Sequence, residues 1–181
     1  MYTKALDGQI IFYYPHSTLF ENVQHISAFM CKNIVSKDGE DLMERFAITD
    51  DEEPMFQICL RDTLPSVYES LKVLTHGIDD AFNNGLTGAQ LKALDSSLAT
   101  LPVTDAEKYV VIRTVDHQAY NPNDVGLVDE TLQSAIEQGT LADFYTKVPH
   151  DTLTKITAAQ FTTQITVLAR RIIGLRRKSI F

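Results

Sequence analysis

At 181 residues, 44% of them hydrophobic and 22% charged, the chain has the composition of a globular domain able to bury a sizeable core. It contains no run of about 18 apolar residues, so no transmembrane helix is expected. The net charge is −8, yet residues 170–181 hold five Arg and Lys and no acid; setting those five aside leaves the first 169 residues at −13, a balance that argues against nucleic-acid binding over the body of the protein.

The opening stretch MYTKALDGQIIFYYP lacks the long apolar segment and small-residue cleavage site of a signal peptide, which predicts a protein that stays in the compartment where it is made. Residues 9–14, QIIFYY, are β-branched and aromatic and lie between Gly8 and Pro15, which predicts a short strand. Leu19, Val23, Ile26 and Met30 then recur at helical spacing, with Phe29 and Ile34 widening the stripe and Thr18 and Glu21 placed as a capping box. Residues 36–45 read as a charged loop.

TDDEEP at 49–54 opens the next helix. Thr49 and Glu52 can form a capping box, the acids suit the positive end of the helix dipole, and Pro54 falls in the first turn. Phe56, Leu60, Leu64, Val67, Leu71 and Leu74 carry the pattern on to about Ala81, with Pro65 expected to kink or split it and Asn83-Asn84-Gly85 to end it. A third helix is expected over about 88–100, with Thr87 and Gln90 as capping pair. Residues 108–115 read as a strand, and AYNPND as a turn. A long helix follows from Asp124 to Lys147, with Leu127, Leu132, Ala135, Ile136, Leu141 and Phe144 on its apolar side and Gly139 as its weak point. Asp151 is placed to cap a last helix through Ile156, Phe161, Ile165, Leu168 and Ile172. Its six threonines are poor helix formers, so this helix must depend on packing. The fold expected is mainly α: a bundle of about five helices with a small β element from strands near 9–14 and 108–115. The predicted core is Leu19, Val23, Ile26, Phe56, Leu60, Leu64, Leu71, Leu132, Ile136, Phe144 and Ile165.

Chemistry-bearing motifs are sparse. Cys31 and Cys59 sit in apolar helical patterns and read as buried free thiols, and neither has a Cys or His at metal-ligand spacing. The five histidines form no His-x-x-x-His or Cys/His cluster; His16 and His150, at helix starts, are expected to be exposed. Val115-Asp116-His117 follows a strand, a place where α/β enzymes put catalytic groups, but has no Gly-rich loop or partner motif beside it. No nucleophile elbow, phosphate-binding loop or dinucleotide fingerprint occurs. The expectation is a protein that is not an enzyme, with no catalytic residues, metal or cofactor.

The end of the chain, ARRIIGLRRKSIF, is the distinctive feature. Cations at a helix C-terminus complement its dipole, but that explains only one or two of five. Two further readings stand: a nucleic-acid or membrane-surface segment, which the acidic body opposes, and a peptide that docks into a protein partner. On the last reading the domain ends at residue 169. The docking residues are then Arg170, Arg171, Ile172, Ile173, Leu175, Arg176, Arg177, Lys178, Ile180 and Phe181.

The acid-led helix ITDDEEPMFQICLRDTLPSVYESL, the β segment EKYVVIRTV, the turn NPND, the long helix VGLVDETLQSAIEQGTLADFYTKV and the basic end RRIIGLRRK come in an order that resembles the head–tail connector, or neck-ring, proteins of tailed bacteriophages, especially those of phages of gut Bacteroidetes. The resemblance spans about residues 46–178. It implies a structural virion protein, made in the host cytoplasm and placed in the neck. There a homo-oligomeric ring, commonly of twelve copies, docks on the portal protein and other neck or tail proteins. It would extend the DNA channel without binding DNA specifically and without touching a membrane. The gripping segment would be Arg170 to Phe181. The alternative is a small regulatory or nucleic-acid-binding module that uses the basic tail.

Overall fold

In the computed structural model, residues 1–4, 9–33, 45–75, 81–94, 96–114 and 122–178 are described. Strands β1 (Tyr2–Lys4) and β2 (Ile10–Pro15) precede α1 (His16–Asn33). After α2 (Glu53–Thr75) come β3 (Phe82–Thr87), the short α3 (Gly88–Ala93), β4 (Lys108–Thr114) and the long antiparallel pair α4 (Pro122–Lys147) and α5 (Asp151–Lys178). The fold is mainly α with a small β element, as the periodicities predict.

The four strands form one antiparallel sheet in the order β1-β2-β4-β3. Phe12 pairs with Ile112 and Tyr14 with Val110, while Tyr13 pairs with Val111, so side chains alternate between two faces. Ile10, Phe12, Tyr14, Val110 and Ile112 join the main core with the helices. Ile11, Tyr13, Tyr109 and Val111 form a second core with Leu91, Leu98 and Val103 from the segment between β3 and β4. Both faces of β2 and β4 are therefore covered, which explains why 108–115 does not alternate cleanly in sequence.

Several local expectations need correction. Asn83-Asn84-Gly85 does not end a helix at Ala81: it lies in β3, where Gly85 takes a φ of +93° at a register shift between Asn84 and Leu86. A turn-like triplet thus serves as a bulge in an edge strand. The helix expected over 88–100 is two pieces, α3 and a 3-10 turn at Ser96–Thr100, although Thr87 and Gln90 do form the capping box. α1 starts at His16, directly from β2, two residues before the Thr18–Glu21 pair. The second helix is unbroken through Pro65, which lies on an exposed face. The Thr49–Glu52 box does form, Thr49 N–H donating to Glu52 at 2.6 Å, on a 3-10 turn (Asp50–Glu52) that leads into α2.

α4 is the hub, packed against α5, α2 and α1. Gly139 is at the tightest point. A Cβ there would lie 2.4 Å from Thr63 Cγ2 and 2.7 Å from Phe161 Cε2, so the residue read as a weakness is what lets three helices meet. The predicted core residues are buried, except that Ile26 and Ile165 pack half-buried at its edge. Leu127, placed on the apolar side, is exposed. The threonines of α5 are accommodated by back-bonding: Thr157, Thr162, Thr163 and Thr166 each donate to the carbonyl four residues earlier at 2.8–2.9 Å.

Candidate functional site

No helix among the described residues is long and apolar enough to cross a membrane, and among those residues no group of three His, Cys, Asp or Glu is arranged to hold a metal ion. The Val115-Asp116-His117 stretch and His76 lie outside the described residues. Cys31 and Cys59 are buried and not joined in a disulfide, and Cys31 Sγ meets the Tyr145 hydroxyl at 3.7 Å. Burial, then the neighbouring Asp143, pushes the Cys59 thiol up to about 12, so it stays protonated and unreactive. Three surfaces remain to be weighed.

The first is the basic end. α5 runs without a break across residues 169 and 170 to Lys178, so helix geometry marks no boundary where the sequence suggests a tail to begin. Two of the ten residues read as docking groups are engaged within the chain. Ile172 is buried in the main core. Arg171 donates from Nη1 to the Leu127 carbonyl and to Thr131 Oγ1 on α4. Both contacts hold the last helix to the bundle. Arg170 is exposed. Ile173, Leu175, Arg176, Arg177 and Lys178 continue the helix, their side chains outside the described residues, as are Ile180 and Phe181 entirely.

The second surface precedes it on the same helix. Residues 156–169 contain no charged side chain, yet Ala158, Ala159, Gln160, Thr162, Thr163 and Thr166 are all exposed. At 1.5 Å per residue this is roughly 20 Å of uncharged, small-residue helix face. A shallow cleft of about 240 Å³ between Gln138, Ala159, Gln160, Thr163 and Gln164 runs beside it, and Gln138 Oε1 is buried there without a hydrogen-bond partner. In sequence this face was legible only as low helix propensity.

The third is a cavity of about 480 Å³ where β2 turns into α1, lined by His16, Ser17, Glu53, Gln57, Ala106, Glu107 and Lys108. His16, expected to be exposed, is only 6% exposed. Its Nε2 meets Asn84 Oδ1 at 2.9 Å, and Nδ1 is buried without a hydrogen bond. Burial, helped by the Lys108 charge, lowers the pKa of the imidazole, opposed by side-chain hydrogen bonding with Asn84 and Gln57 and by the Glu107 charge. Glu107 Oε1 accepts the Ser17 and Lys108 backbone N–H groups, each at 3.2 Å, and so caps α1 from 90 residues away. These groups come from three separate segments, and no spacing in the sequence joins them. The other histidine expected at the surface, His150, is half-buried: its Nδ1 accepts the Leu153 N–H at 3.3 Å, taking the capping role expected of Asp151, and its ring meets Phe46 edge-on at 4.8 Å.

Polar groups elsewhere hold the fold together. Tyr14, fully buried, donates to Asp129 Oδ1 at 2.7 Å, and the N-terminal ammonium reaches the same oxygen at 2.8 Å. Glu137, buried on α4, accepts from Asn22 Nδ2 at 2.7 Å and Gln133 Nε2 at 2.9 Å.

Comparison with protein-family models, with curated proteins and with solved structures finds no match to this chain.

Proposed function

We propose that the protein is a structural adaptor that self-associates through α5 into a closed ring, with the cationic end of that helix presented to a partner; the resemblance to phage neck proteins makes that partner the portal and the location the virion neck. The observation that carries this reading is the uncharged stretch of residues 156–169, much of which is exposed. A solvated helix face ordinarily carries charge. A run of Ala and Thr without charge suits a face that another backbone approaches closely, since interface cores are depleted in charged residues. In such a ring this face of one copy would meet a different surface of the next, a heterologous contact whose rotation closes.

The −13 body supports the neck location in a second way: a channel wall of like charge does not retain passing DNA. With Arg171 and Ile172 held by the bundle, the gripping segment is shorter than the full basic end and begins after Ile172.

The test is the mass of the full chain by light scattering over a concentration series, beside a chain truncated after Ile172. A large closed oligomer that survives truncation supports assembly through the α5 face with the end free for a partner. A strict monomer at every concentration, with no particle forming when portal protein is added, defeats the reading.

A further inference from the structure

We infer, on the reading of a ring formed through α5, that the uncharged face of α5 docks on the segment between β3 and β4 of the next copy. Residues 81–104 hold only two charged side chains, Lys92 and Asp95, in a chain of which 22% is charged. Among the described residues of that segment every exposed one is uncharged, Ala89, Gln90, Ala93, Ala99, Thr100 and Pro102 among them, and Lys92 is partly buried. Leu86, Leu94 and Leu101 pack against the second core but are only partly buried. The segment thus offers apolar area still to be covered and no exposed charge to desolvate, as the core of a contact between copies requires.

Other surfaces fit the α5 face less well. α1 carries Glu21 and Lys32 in its exposed stripe, and α2 exposes Glu53, Arg61, Asp62 and Glu69. Set against the uncharged face of α5, these groups would lose water and gain no charged partner there. The position of the two surfaces in the molecule also suits a ring. Leu153 and Leu168 of α5 belong to the core on one face of the sheet, and Leu91 and Leu98 of the 81–104 segment to the core on the other. The sheet therefore stands between the two surfaces within one copy. A contact between them joins neighbouring copies through unlike faces, the heterologous arrangement that a closed ring of copies repeats. Alanine and threonine dominate the α5 face, and alanine recurs on the exposed part of the segment, so neither surface has long side chains to hold the other away.

The experiment compares three forms of the full chain by light scattering over a concentration series: the wild type, Ala93→Glu with Ala99→Glu, and Ala159→Glu with Thr163→Glu. All four positions are exposed, so the three circular dichroism spectra should coincide. Each double variant alone should lose assembly, its half-assembly concentration rising at least about a hundredfold. Mixed one to one, the two variants should regain a single contact, the intact α5 of the first against the intact 81–104 surface of the second. Growth should stop at a 1:1 complex of twice the chain mass, because both outer surfaces of that complex are blocked. If Ala93→Glu with Ala99→Glu associates as the wild type does, or if the mixture stays monomeric, the inference is overturned while assembly through α5 stands. A wild type that is monomeric at every concentration overturns the inference together with self-association through α5.

Discussion

The side chains of His16 and Asn84 meet at 2.9 Å although 68 positions separate them. This contact ties the β2–α1 junction to the bulged edge strand β3 through a histidine whose burial opposes protonation. The folded-state pKa is therefore below the unfolded value of about 6.5. Above 6.5 both states are neutral and this contribution to stability is complete. As pH falls below 6.5 the unfolded chain takes up a proton that the folded chain resists, and stability is lost progressively down to the lowered folded pKa. Urea unfolding between pH 7.5 and 5 should show this decline, and His16→Gln should flatten it. The Glu107 charge opposes the lowering and the Lys108 charge adds to it, and neither changes its sign.

Glu137 works in the other direction. Burial raises its pKa, and the donors Gln133 and Asn22 only partly offset that. A raised folded pKa means that ionising the group costs stability: the cost is absent below about 4.5, the ordinary carboxyl value, and grows as pH rises through the folded pKa. Glu137→Gln keeps an oxygen to accept from both donors and removes the buried charge. The variant should match or exceed the wild type at pH 7, and its advantage should vanish at pH 4. Glu137→Ala, which strands the Asn22 and Gln133 amides, should cost about 1–3 kcal/mol. Paired denaturation curves at the two pH values separate these outcomes.

The glycines of α4 make opposite predictions at two positions of one helix. At Gly126 a Cβ meets nothing within 4 Å, so Gly126→Ala should stabilise by about 0.5–1 kcal/mol through helix propensity alone. At Gly139 the same methyl group meets Thr63 on α2 and Phe161 on α5. Thr63 is β-branched and buried and has little freedom to move aside, so overpacking of about 1–3 kcal/mol should exceed the propensity gain. Melting temperatures of the two variants should move to opposite sides of the wild type.

That pair also marks how far the sequence could be read. Helical spacing identified the long helices and most core residues, because an amphipathic stripe records which face is buried. It could not show that Gly139 is a contact point, since composition reports helix propensity and only packing reports close approach. β2 and β4 were legible from β-branched and aromatic runs, whereas β3 was hidden by Asn83-Asn84-Gly85, which has turn chemistry whether it makes a turn or a bulge. The cavity could not be read at all. His16 is a lone histidine at a strand–helix junction, and its cavity neighbours Glu53, Gln57 and Glu107 reach it only through tertiary structure. The basic end was visible as charge, but not the inward turn of Arg171 and Ile172, which depends on α5 lying along α4.

The last prediction separates a docking face from a merely soluble one. Ala159 and Thr163 are exposed, one turn apart on α5, and Ala159 makes no side-chain hydrogen bond, while Thr163 bonds only to the carbonyl of Ala159. Introducing Ala159→Glu and Thr163→Glu together should change the unfolding free energy of the isolated chain by no more than about 1 kcal/mol, the usual range for two surface substitutions. Two carboxylates in a dry contact between copies would be left without partners, and desolvating them costs several kcal/mol each. Assembly detected by light scattering should therefore be lost while the circular dichroism spectrum and the urea midpoint stay near those of the wild type. If the double variant assembles as the wild type does, α5 is not the surface through which copies meet, and the absence of charge over residues 156–169 needs another cause.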